Sequence, residues 1–549
     1  MAKMDGGHLV TRALKREGFD VLFGISGGPI FQIVDGCLDD DIRLVHVRHE
    51  QAAAMMAHGW ARVTGKPGVA AFASGPGTIN AATGVANAHS NASPVLYIGG
   101  SSRMAMDEMG GFQEIDQFEV MRPITKWAHI VPDARRIPEF ISIALRHANT
   151  GRPGPVYLDI PGDILSQQVD EESVWYPTCS RSAARPLGDP AQVSRAIDLL
   201  SKAERPLVII GSGVWWSQAA EEVGRFIEAS GLPFVATPMG RGAVPDDSPQ
   251  CFGSARSFAL KNADTILVLG GRLNWILGFG RPPRYAPDVR MIQVDIEPSE
   301  LGHNKDMAVG IVGDIKAVVG QLMPGAEEVL SKKAWGEWHG RLREAAGAND
   351  ERMEPLRRSN QAPVHPIRFC TEIAEFLDRD AIVAVDGGEI LDFGRMSIPT
   401  YYPGHRINCG TFGCLGVGVP MAIAAKIAFP NKQVLCLTGD GAFGFNGMEL
   451  ETAVRHAPTV TVVANDSQWG QCVHIQQRSY GTDRVIDTRI SPSRYDLMMK
   501  AFGGHGEHVE RPEDIRPALE RAFASGKAAC IDVAIDPEAS PRTAFREGD

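Results

Sequence analysis

Two short polar segments have the composition of a site for a metal ion and a phosphate group. Asp440 lies between Gly439 and Gly441 after the apolar run 434–437, and Asn465, 25 positions further on, follows the next apolar run, 459–463. In a right-handed βαβ unit both strands end at the same edge of the sheet, so these side chains can reach one point. A carboxylate, an amide oxygen and a backbone carbonyl suit Mg²⁺, and the glycines let a diphosphate approach the next helix N-terminus. The simpler alternative is an ordinary Asp-Gly turn, which the asparagine at the second strand end disfavours.

Two further segments could take part in ligand binding. Glu50 follows a predicted strand, 43–47, and begins a predicted helix. Taken alone, it is a helix N-terminal charge that interacts with the helix dipole. The segment 410–420 is too rich in glycine for an ordinary helix start and precedes an alanine-rich helical run. Close packing of two helices would explain those glycines equally well.

Together these segments resemble the motifs of thiamine-diphosphate enzymes. The family usually has an Asn-Asn pair where this chain has Ala464-Asn465. The resemblance implies that Asp440, the side chain of Asn465 and the carbonyl of Ser467 hold Mg²⁺ on the cofactor diphosphate. It also implies that Glu50 hydrogen-bonds N1′ of the aminopyrimidine and so activates the cofactor as its own base.

The resemblance extends over nearly the whole chain, including the segments 23–29, 74–77 and 151–161. It implies that the Gly413 carbonyl accepts from the 4′-amino group and that Leu415 is the apolar wedge that bends the cofactor. Other cofactor-binding positions on this mapping are Gly388, Glu389, Gly439, Gly441 and Ala442. Substrate-lining positions are Gly28, Phe112, Gln113 and Trp469. In this superfamily the cofactor lies between two subunits, which implies a homodimer or homotetramer.

The central segments 237–242, 271–285 and 293–296 look like 2-hydroxyacyl-CoA lyases and oxalyl-CoA decarboxylases. In those relatives the substrate is a coenzyme A thioester and the central domain can hold ADP or another adenine nucleotide. Three arginines could grip such phosphates, although each could equally be solvated surface: Arg272, Arg281 and Arg284. Gly211-Ser212-Gly213 lacks the third glycine of a dinucleotide fingerprint, so NAD is not assigned.

Other positions favour a different branch of the family. Phe112-Gln113-Glu114 is similar to the acetolactate synthase loop, and 386–389 departs from the Glu-Gly-Ala-Asn pattern of acyl-CoA lyases. The tail after Pro537 is also shorter than the closing segment that the acyl-CoA enzymes tend to carry. The favoured function is reversible cleavage of 2-hydroxyacyl-CoA to formyl-CoA and an aldehyde or ketone. The alternative is a 2-oxo acid decarboxylase or acetolactate-type carboligase, and a non-catalytic cofactor sensor is disfavoured because it would not need Glu50.

Composition narrows the remaining function classes. The 549 residues carry 55 Lys and Arg against 66 Asp and Glu, a net charge of −11, which argues against a general grip on nucleic acid. The N-terminus lacks a signal-like apolar segment, and no apolar run approaches the ~20 residues of a membrane span, so a cytoplasmic protein is expected. The nine cysteines are scattered without a C-x-x-C pair, so most should be reduced core residues.

The elements that must position these residues form an α/β pattern from end to end. Short Val/Ile/Leu-rich runs alternate with amphipathic stretches, which predicts parallel sheets with helices on both faces. Two polar segments, 177–190 and 345–363, interrupt the pattern and are interpreted as linkers. The prediction is therefore three α/β domains: a pyrimidine domain at 1–180, a Rossmann-like central domain at 186–345 and a diphosphate domain at 360–549.

Overall fold

The computed structural model of the protein describes residues 3–541. It contains three parallel sheets, each flanked by helices, which confirms the predicted α/β class and three-domain architecture. Residues 542–549, the end of the tail compared above, lie outside the described residues.

The N-terminal domain contains a six-stranded sheet and a small antiparallel pair. Its strands are β1 (Lys3–Met4), β2 (Val21–Gly24), β3 (Arg43–His46), β4 (Gly68–Phe72), β5 (Val95–Ser101), β6 (Trp127–Ile130), β7 (Pro155–Pro161) and β8 (Val169–Asp170). Its helices are α1 (Gly6–Arg16), α2 (Phe31–Asp39), α3 (Glu50–Thr64), α4 (Pro76–Asn80), α5 (Ala82–Ser90), α6 (Gln117–Met121), α7 (Ile137–Asn149) and α8 (Gly162–Ser166). The sheet order is β3-β2-β4-β5-β7-β6, and β1 pairs with β8.

The central domain is a five-stranded parallel sheet in the order β10-β9-β11-β12-β13. The strands are β9 (Pro206–Ile210), β10 (Phe234–Ala236), β11 (Thr265–Leu269), β12 (Arg290–Asp295) and β13 (Val309–Val312). The helices are α9 (Pro190–Ser201), α10 (Gly213–Trp216), α11 (Ala220–Ser230), α12 (Arg256–Asn262), α13 (Ile315–Glu328) and α14 (Gly336–Arg357). Every residue of β9 and β11 is buried, as expected of strands covered on both faces.

The C-terminal domain has six parallel strands in the order β15-β14-β16-β17-β19-β18. They are β14 (Ile382–Asp386), β15 (Arg406–Ile407), β16 (Val434–Gly439), β17 (Val460–Asn465), β18 (His505–Val509) and β19 (Ala529–Ala534). The helices are α15 (Pro366–Phe376), α16 (Glu389–Ser397), α17 (Gly418–Ala428), α18 (Asp440–Asn446), α19 (Glu449–His456), α20 (Gly470–Tyr480), α21 (Tyr495–Ala501) and α22 (Ile515–Ala524).

Most of the segment 345–363, which is interpreted above as a linker, is helical. Residues up to Arg357 belong to the 22-residue helix α14. Trp338 and Leu342 of this helix are buried in the central core, whereas Met353 is buried in the C-terminal core. The helix is polar elsewhere because only these few side chains face the two domains it joins.

The N-terminal and C-terminal domains share one apolar core through α3 and α17. A Cβ at Gly59 would lie 2.9 Å from the Cα of Met421, so only glycine allows this helix approach. The nine cysteines are free, and five of them are buried. Among residues 3–541, no helix is long and apolar enough to cross a membrane.

Candidate active site

A cleft of about 560 Å³ lies at the carboxyl ends of the C-terminal strands, where α/β sheets commonly bind ligands. Central-domain residues, including Trp275, form part of its wall. Nine of the residues predicted from the sequence line it: Gly388, Glu389, Gly413, Leu415, Gly439, Asp440, Gly441, Ala442 and Trp469. The structure therefore brings most of the predicted cofactor site together.

Asp440 begins α18 and is buried, with 3% of its surface exposed. Its Oδ1 accepts a hydrogen bond from the Gly441 amide at 2.8 Å. Its Oδ2 is buried without a hydrogen-bond partner among the described residues. A buried carboxylate oxygen without a partner is costly, so this atom is placed for a cation.

The residues after β17 alternate between the cleft and the opposite side. Ala464, Asp466 and Gln468 line the cleft, whereas Asn465 and Ser467 are not among the lining residues. The strand ends at Asn465, and Ser467 then adopts a φ of +55°, so the local turn rather than a strand period decides which side chains face the cleft. The chain thus presents Asp466 to the cleft at the position where the sequence predicts an asparagine ligand.

Asn465 instead makes structural hydrogen bonds. Its Nδ2 donates to the Ser493 carbonyl and to Oδ1 of Asp532, each at 2.9 Å. Its Oδ1 accepts from the backbone amide and the hydroxyl of Ser467, each at 3.2 Å. The side chain predicted to bind Mg²⁺ therefore has its polar atoms occupied by the protein.

Asp440 and Asp466 interact directly. Burial raises the pKa of both carboxyl groups, and the negative charge of Asp466 raises that of Asp440 further. Two acidic groups in one buried site repel each other unless a proton or a cation lies between them. Oxygen-only ligands of this kind fit Mg²⁺, so the residues present fit the metal that the sequence predicts.

The opposite wall begins at the end of β14. Gly387 adopts a φ of +122°, which favours glycine, and Gly388 precedes the first turn of α16. Glu389 also belongs to a small network, in which its Oε2 is 2.7 Å from Nδ1 of His474 and its Oε1 accepts from the Ser540 hydroxyl at 2.9 Å. The hydrogen bond to the Glu389 carboxylate raises the pKa of His474 and so favours its imidazolium form.

The glycine-rich loop before α17 forms another side of the cleft. Gly413 has a φ of +71° and open space where a Cβ would stand. Asn446 at the end of α18 donates to the Gly416 carbonyl at 2.8 Å and so ties the loop to the helix that Asp440 begins. Leu415 lines the cleft beside Gly413, as the predicted apolar wedge would require.

Four predicted residues of the N-terminal domain are not among the residues that line this cleft: Gly28, Glu50, Phe112 and Gln113. Glu50 accepts a hydrogen bond from Nδ2 of Asn80 at 3.0 Å, within its own domain. Phe112 is 88% exposed. A single chain therefore does not bring Glu50 to the pair Asp440–Asp466.

The arginines that line the cleft share only Arg284 with the predicted set, and they come from both the central and the C-terminal domain. Arg272 donates to the Ser90 carbonyl and Arg281 to the Asn304 carbonyl, and neither lines the cleft. The cleft is lined by Arg256, Arg284 and Arg395. The sequence gives little signal for Arg256 or Arg395, because each stands within an ordinary helix.

Three regions of the sequence match domains of one protein family, in agreement with this geometry. Residues 4–120 match "Thiamine pyrophosphate enzyme, N-terminal TPP binding domain", and residues 391–533 match the corresponding C-terminal TPP binding domain. Residues 193–322 match the central domain of the same enzymes. The chain belongs to the thiamine pyrophosphate enzyme family.

Members of the thiamine pyrophosphate enzyme family are similar over nearly the full length. Human 2-hydroxyacyl-CoA lyase 1 is 38% identical over 98% of this chain and 96% of its own length. The acetolactate synthase large subunit of Mycobacterium tuberculosis is also 38% identical, over 98% of this chain and 97% of its own. Oxalyl-CoA decarboxylase of Escherichia coli is 34% identical over 97% and 95%. These relatives confirm the resemblance inferred from the motifs and leave the branch open.

Membership of the thiamine pyrophosphate enzyme family also accounts for the shape of the cleft. One wall has two acidic residues with an unpartnered oxygen, and the other has glycines that leave the backbone accessible. A diphosphate bridged by a divalent cation needs both features. The residues present therefore fit the diphosphate end of the cofactor.

Proposed function

We propose that this protein is a thiamine-diphosphate- and Mg²⁺-dependent carbon–carbon lyase. It would reversibly cleave 2-hydroxyacyl-CoA to formyl-CoA and an aldehyde or ketone, and in the reverse direction it would act as a carboligase. The observation that carries the choice of substrate is the cluster of three arginines on the wall of the cleft.

Arg256 provides the strongest support for an anionic ligand in this cluster. Its Nε is buried without a hydrogen-bond partner among residues 3–541, and its Nη2 donates only to the Ile276 carbonyl, at 3.2 Å. Burial, together with the nearby charges of Arg395 and Arg284, lowers the pKa of Arg256 to about 10. A cationic group held in this way favours an anionic ligand.

The other two arginines lie close enough to Arg256 for their charges to lower its pKa. Arg284 donates to the Ile276 carbonyl at 2.8 Å, and Arg395 pairs with Asp392 at 3.0 Å. Arg395 thus has a carboxylate partner, whereas Arg256 and Arg284 share a backbone carbonyl. The phosphates of coenzyme A would give these two arginines anionic partners, whereas a small 2-oxo acid offers one carboxylate.

We assign the following roles to the chain's own residues. Asp440 and Asp466, with a backbone carbonyl after β17, would hold Mg²⁺ and through it the diphosphate. Gly413 and Leu415 would hold the cofactor in its bent shape, as the family resemblance implies. Glu50 would hydrogen-bond N1′ of the aminopyrimidine. When bound, thiamine diphosphate supplies a nucleophilic carbon and a ring that accepts the electron pair of the broken bond.

The proposal requires at least two copies of the chain. Glu50 is absent from the lining of its own cleft, so the Glu50 of a second copy would complete the site. A homodimer is the smallest such assembly, and a homotetramer would contain two of these pairs. The proposal includes no adenine nucleotide, because backbone carbonyls already engage Arg272 and Arg281.

The second candidate is a 2-oxo acid decarboxylase or acetolactate-type carboligase. The similarity to a mycobacterial acetolactate synthase supports it. Purified protein with thiamine diphosphate and Mg²⁺ would be given formyl-CoA plus a small aldehyde or ketone in one reaction and pyruvate alone in another. A 2-hydroxyacyl-CoA product supports the lyase, and turnover confined to pyruvate would transfer the assignment to the second candidate.

A further inference from the structure

We propose that Glu449 is a positioning residue for Glu50, because its carboxylate fixes the backbone from which the Glu50 side chain projects. This role rests on the one proposed for Glu50 above. Glu449 begins α19 in the C-terminal domain, whereas Glu50 begins α3 in the N-terminal domain of the same chain. The contact therefore crosses between the two domains.

The carboxylate of Glu449 is an acceptor for four hydrogen bonds. The Arg48 amide donates to Oε1 at 3.0 Å and to Oε2 at 3.3 Å, and the His49 amide donates to Oε1 at 3.0 Å. The Thr452 hydroxyl donates to Oε2 at 2.6 Å. The two backbone donors are the residues immediately before Glu50, so the turn that leads into α3 is held at its last two peptide groups.

The same turn is held at a second point. Arg455, near the end of α19, donates from Nη2 to the His46 carbonyl at 2.8 Å. Arg43 of β3 donates from Nη2 to the His456 carbonyl at 2.7 Å. Both ends of the eight-residue helix α19 thus hold the connection between β3 and α3.

Burying the Glu449 carboxylate costs desolvation free energy, which a purely structural link between domains would not require. Glu449 is 1% exposed, and burial raises its pKa to about 7. Apolar residues join domains without the desolvation penalty of a buried charge. These four hydrogen bonds come from three donors and use both oxygens of Glu449, which a carboxylate provides and an amide, with one oxygen, does not.

Positioning matters because the chemistry of Glu50 depends on placement. Within residues 3–541 its side chain has one hydrogen bond of its own, which Nδ2 of Asn80 donates at 3.0 Å. Glu449 supplies the second restraint, on the backbone. A carboxylate that must meet a ring nitrogen of the cofactor loses its effect when it is displaced by about 1 Å.

The test compares Glu449→Gln with Glu50→Gln and with a matched control, Glu507→Gln. Glu507 is a half-buried glutamate of the same domain that pairs with Arg521 and does not contact the turn before α3. For each protein, the affinity for thiamine diphosphate with Mg²⁺ is measured by tryptophan fluorescence. The rate at which the C2 proton of the bound cofactor exchanges with deuterium is measured by acid-quenched NMR.

We expect Glu449→Gln to slow the exchange roughly 10- to 100-fold while the cofactor affinity stays within about twofold. Glu507→Gln should change neither quantity. An exchange rate for Glu449→Gln within about twofold of the wild type would overturn the proposal, and so would a parallel loss of exchange and affinity, which indicates general damage. Wild-type exchange in Glu50→Gln would instead remove the proposed role of Glu50. If Glu449→Gln does not fold, Glu449→Asp, which keeps the charge but shortens the side chain, is judged by the same criterion.

Discussion

Asp466, rather than Asn465, lines the cleft together with Asp440. The two carboxyl groups interact directly, while Asn465 binds Asp532 and Ser493 on the other side of the strand end. This arrangement makes the proposed metal site more acidic than one built from a carboxylate and an amide.

The first prediction concerns this pair. Asp466→Ala should weaken Mg²⁺ binding by about tenfold or more, because it removes a ligand oxygen, whereas Asp466→Asn retains an oxygen ligand and should bind Mg²⁺ clearly better than Asp466→Ala. Asn465→Ala should leave the Mg²⁺ affinity nearly unchanged and lower the free energy of unfolding by about 1–3 kcal/mol, because it removes the donor that Oδ1 of Asp532 and the Ser493 carbonyl share. Titration of Mg²⁺ in the presence of thiamine diphosphate measures the affinities. A stronger loss in Asn465→Ala than in Asp466→Ala would contradict the assignment.

The end of β17 shows how much of the site could be predicted from the sequence and what could not. The glycines around Asp440 and the two apolar runs were enough to predict the βαβ unit, because strand periodicity and turn residues are local properties. Which side chain after β17 lies on the cleft depends on the backbone at the end of the strand, where Ser467 adopts a φ of +55°. The spacing of a motif does not resolve such a local departure from the strand conformation.

Other parts of the site depend on contacts between distant segments. Arg256 and Glu449 stand in ordinary helices, and their neighbours in sequence do not distinguish them from surface residues. Their roles become visible only when the central domain meets the cleft and α19 meets α3. The polar helix α14 is a similar case, since its few buried residues are divided between two domains.

The second prediction tests whether the site is shared between subunits. Glu50→Gln and Asp440→Ala should each be inactive as homodimers. In a mixed dimer, one site combines the intact Asp440 of the first variant with the intact Glu50 of the second. Random 1:1 mixing through co-expression should therefore restore about a quarter of the wild-type activity. If mixed dimers form but no activity returns, Glu50 of one chain does not act in the site of the other chain.

The third prediction concerns the substrate. Arg256→Gln should raise the KM for a CoA thioester about tenfold or more, because it removes a guanidinium from the wall of the cleft, with a smaller effect on kcat. The matched control is Arg281→Gln, since Arg281 binds the Asn304 carbonyl away from the cleft, and its KM should be unchanged. Steady-state kinetics with both variants provides the measurement. Equal effects of the two substitutions would show that the cleft arginines do not select the substrate.

The fourth prediction concerns the pH dependence of the Glu389–His474 pair. Because Glu389 raises the pKa of His474 above its ordinary value of 6.5, the stabilisation is fully present below pH 6.5 and is lost as the pH rises through the folded-state value. The thermal midpoint of His474→Gln should therefore lie furthest below that of the wild type at pH 5.5 and approach it at pH 8.5. The contribution is about 1 kcal/mol, the scale of a single ion pair. A difference that does not vary with pH would mean that the histidine acts only through packing; Glu389→Gln should abolish the same pH-dependent part.

The fifth prediction concerns the contact that joins the N-terminal and C-terminal domains. At Gly59 any Cβ lies 2.9 Å from the Cα of Met421, so the helices α3 and α17 must separate to admit a side chain. Gly59→Val should lower the free energy of unfolding by about 1–3 kcal/mol, measured as a lower thermal midpoint. The matched control is Gly224→Val in α11, where a Cβ meets nothing within 4 Å, so the midpoint should change little. Glu50 is the first residue of α3, so Gly59→Val should also slow the exchange of the C2 proton of the bound cofactor. A variant that is less stable but exchanges at the wild-type rate would show that the helix contact does not affect the position of Glu50.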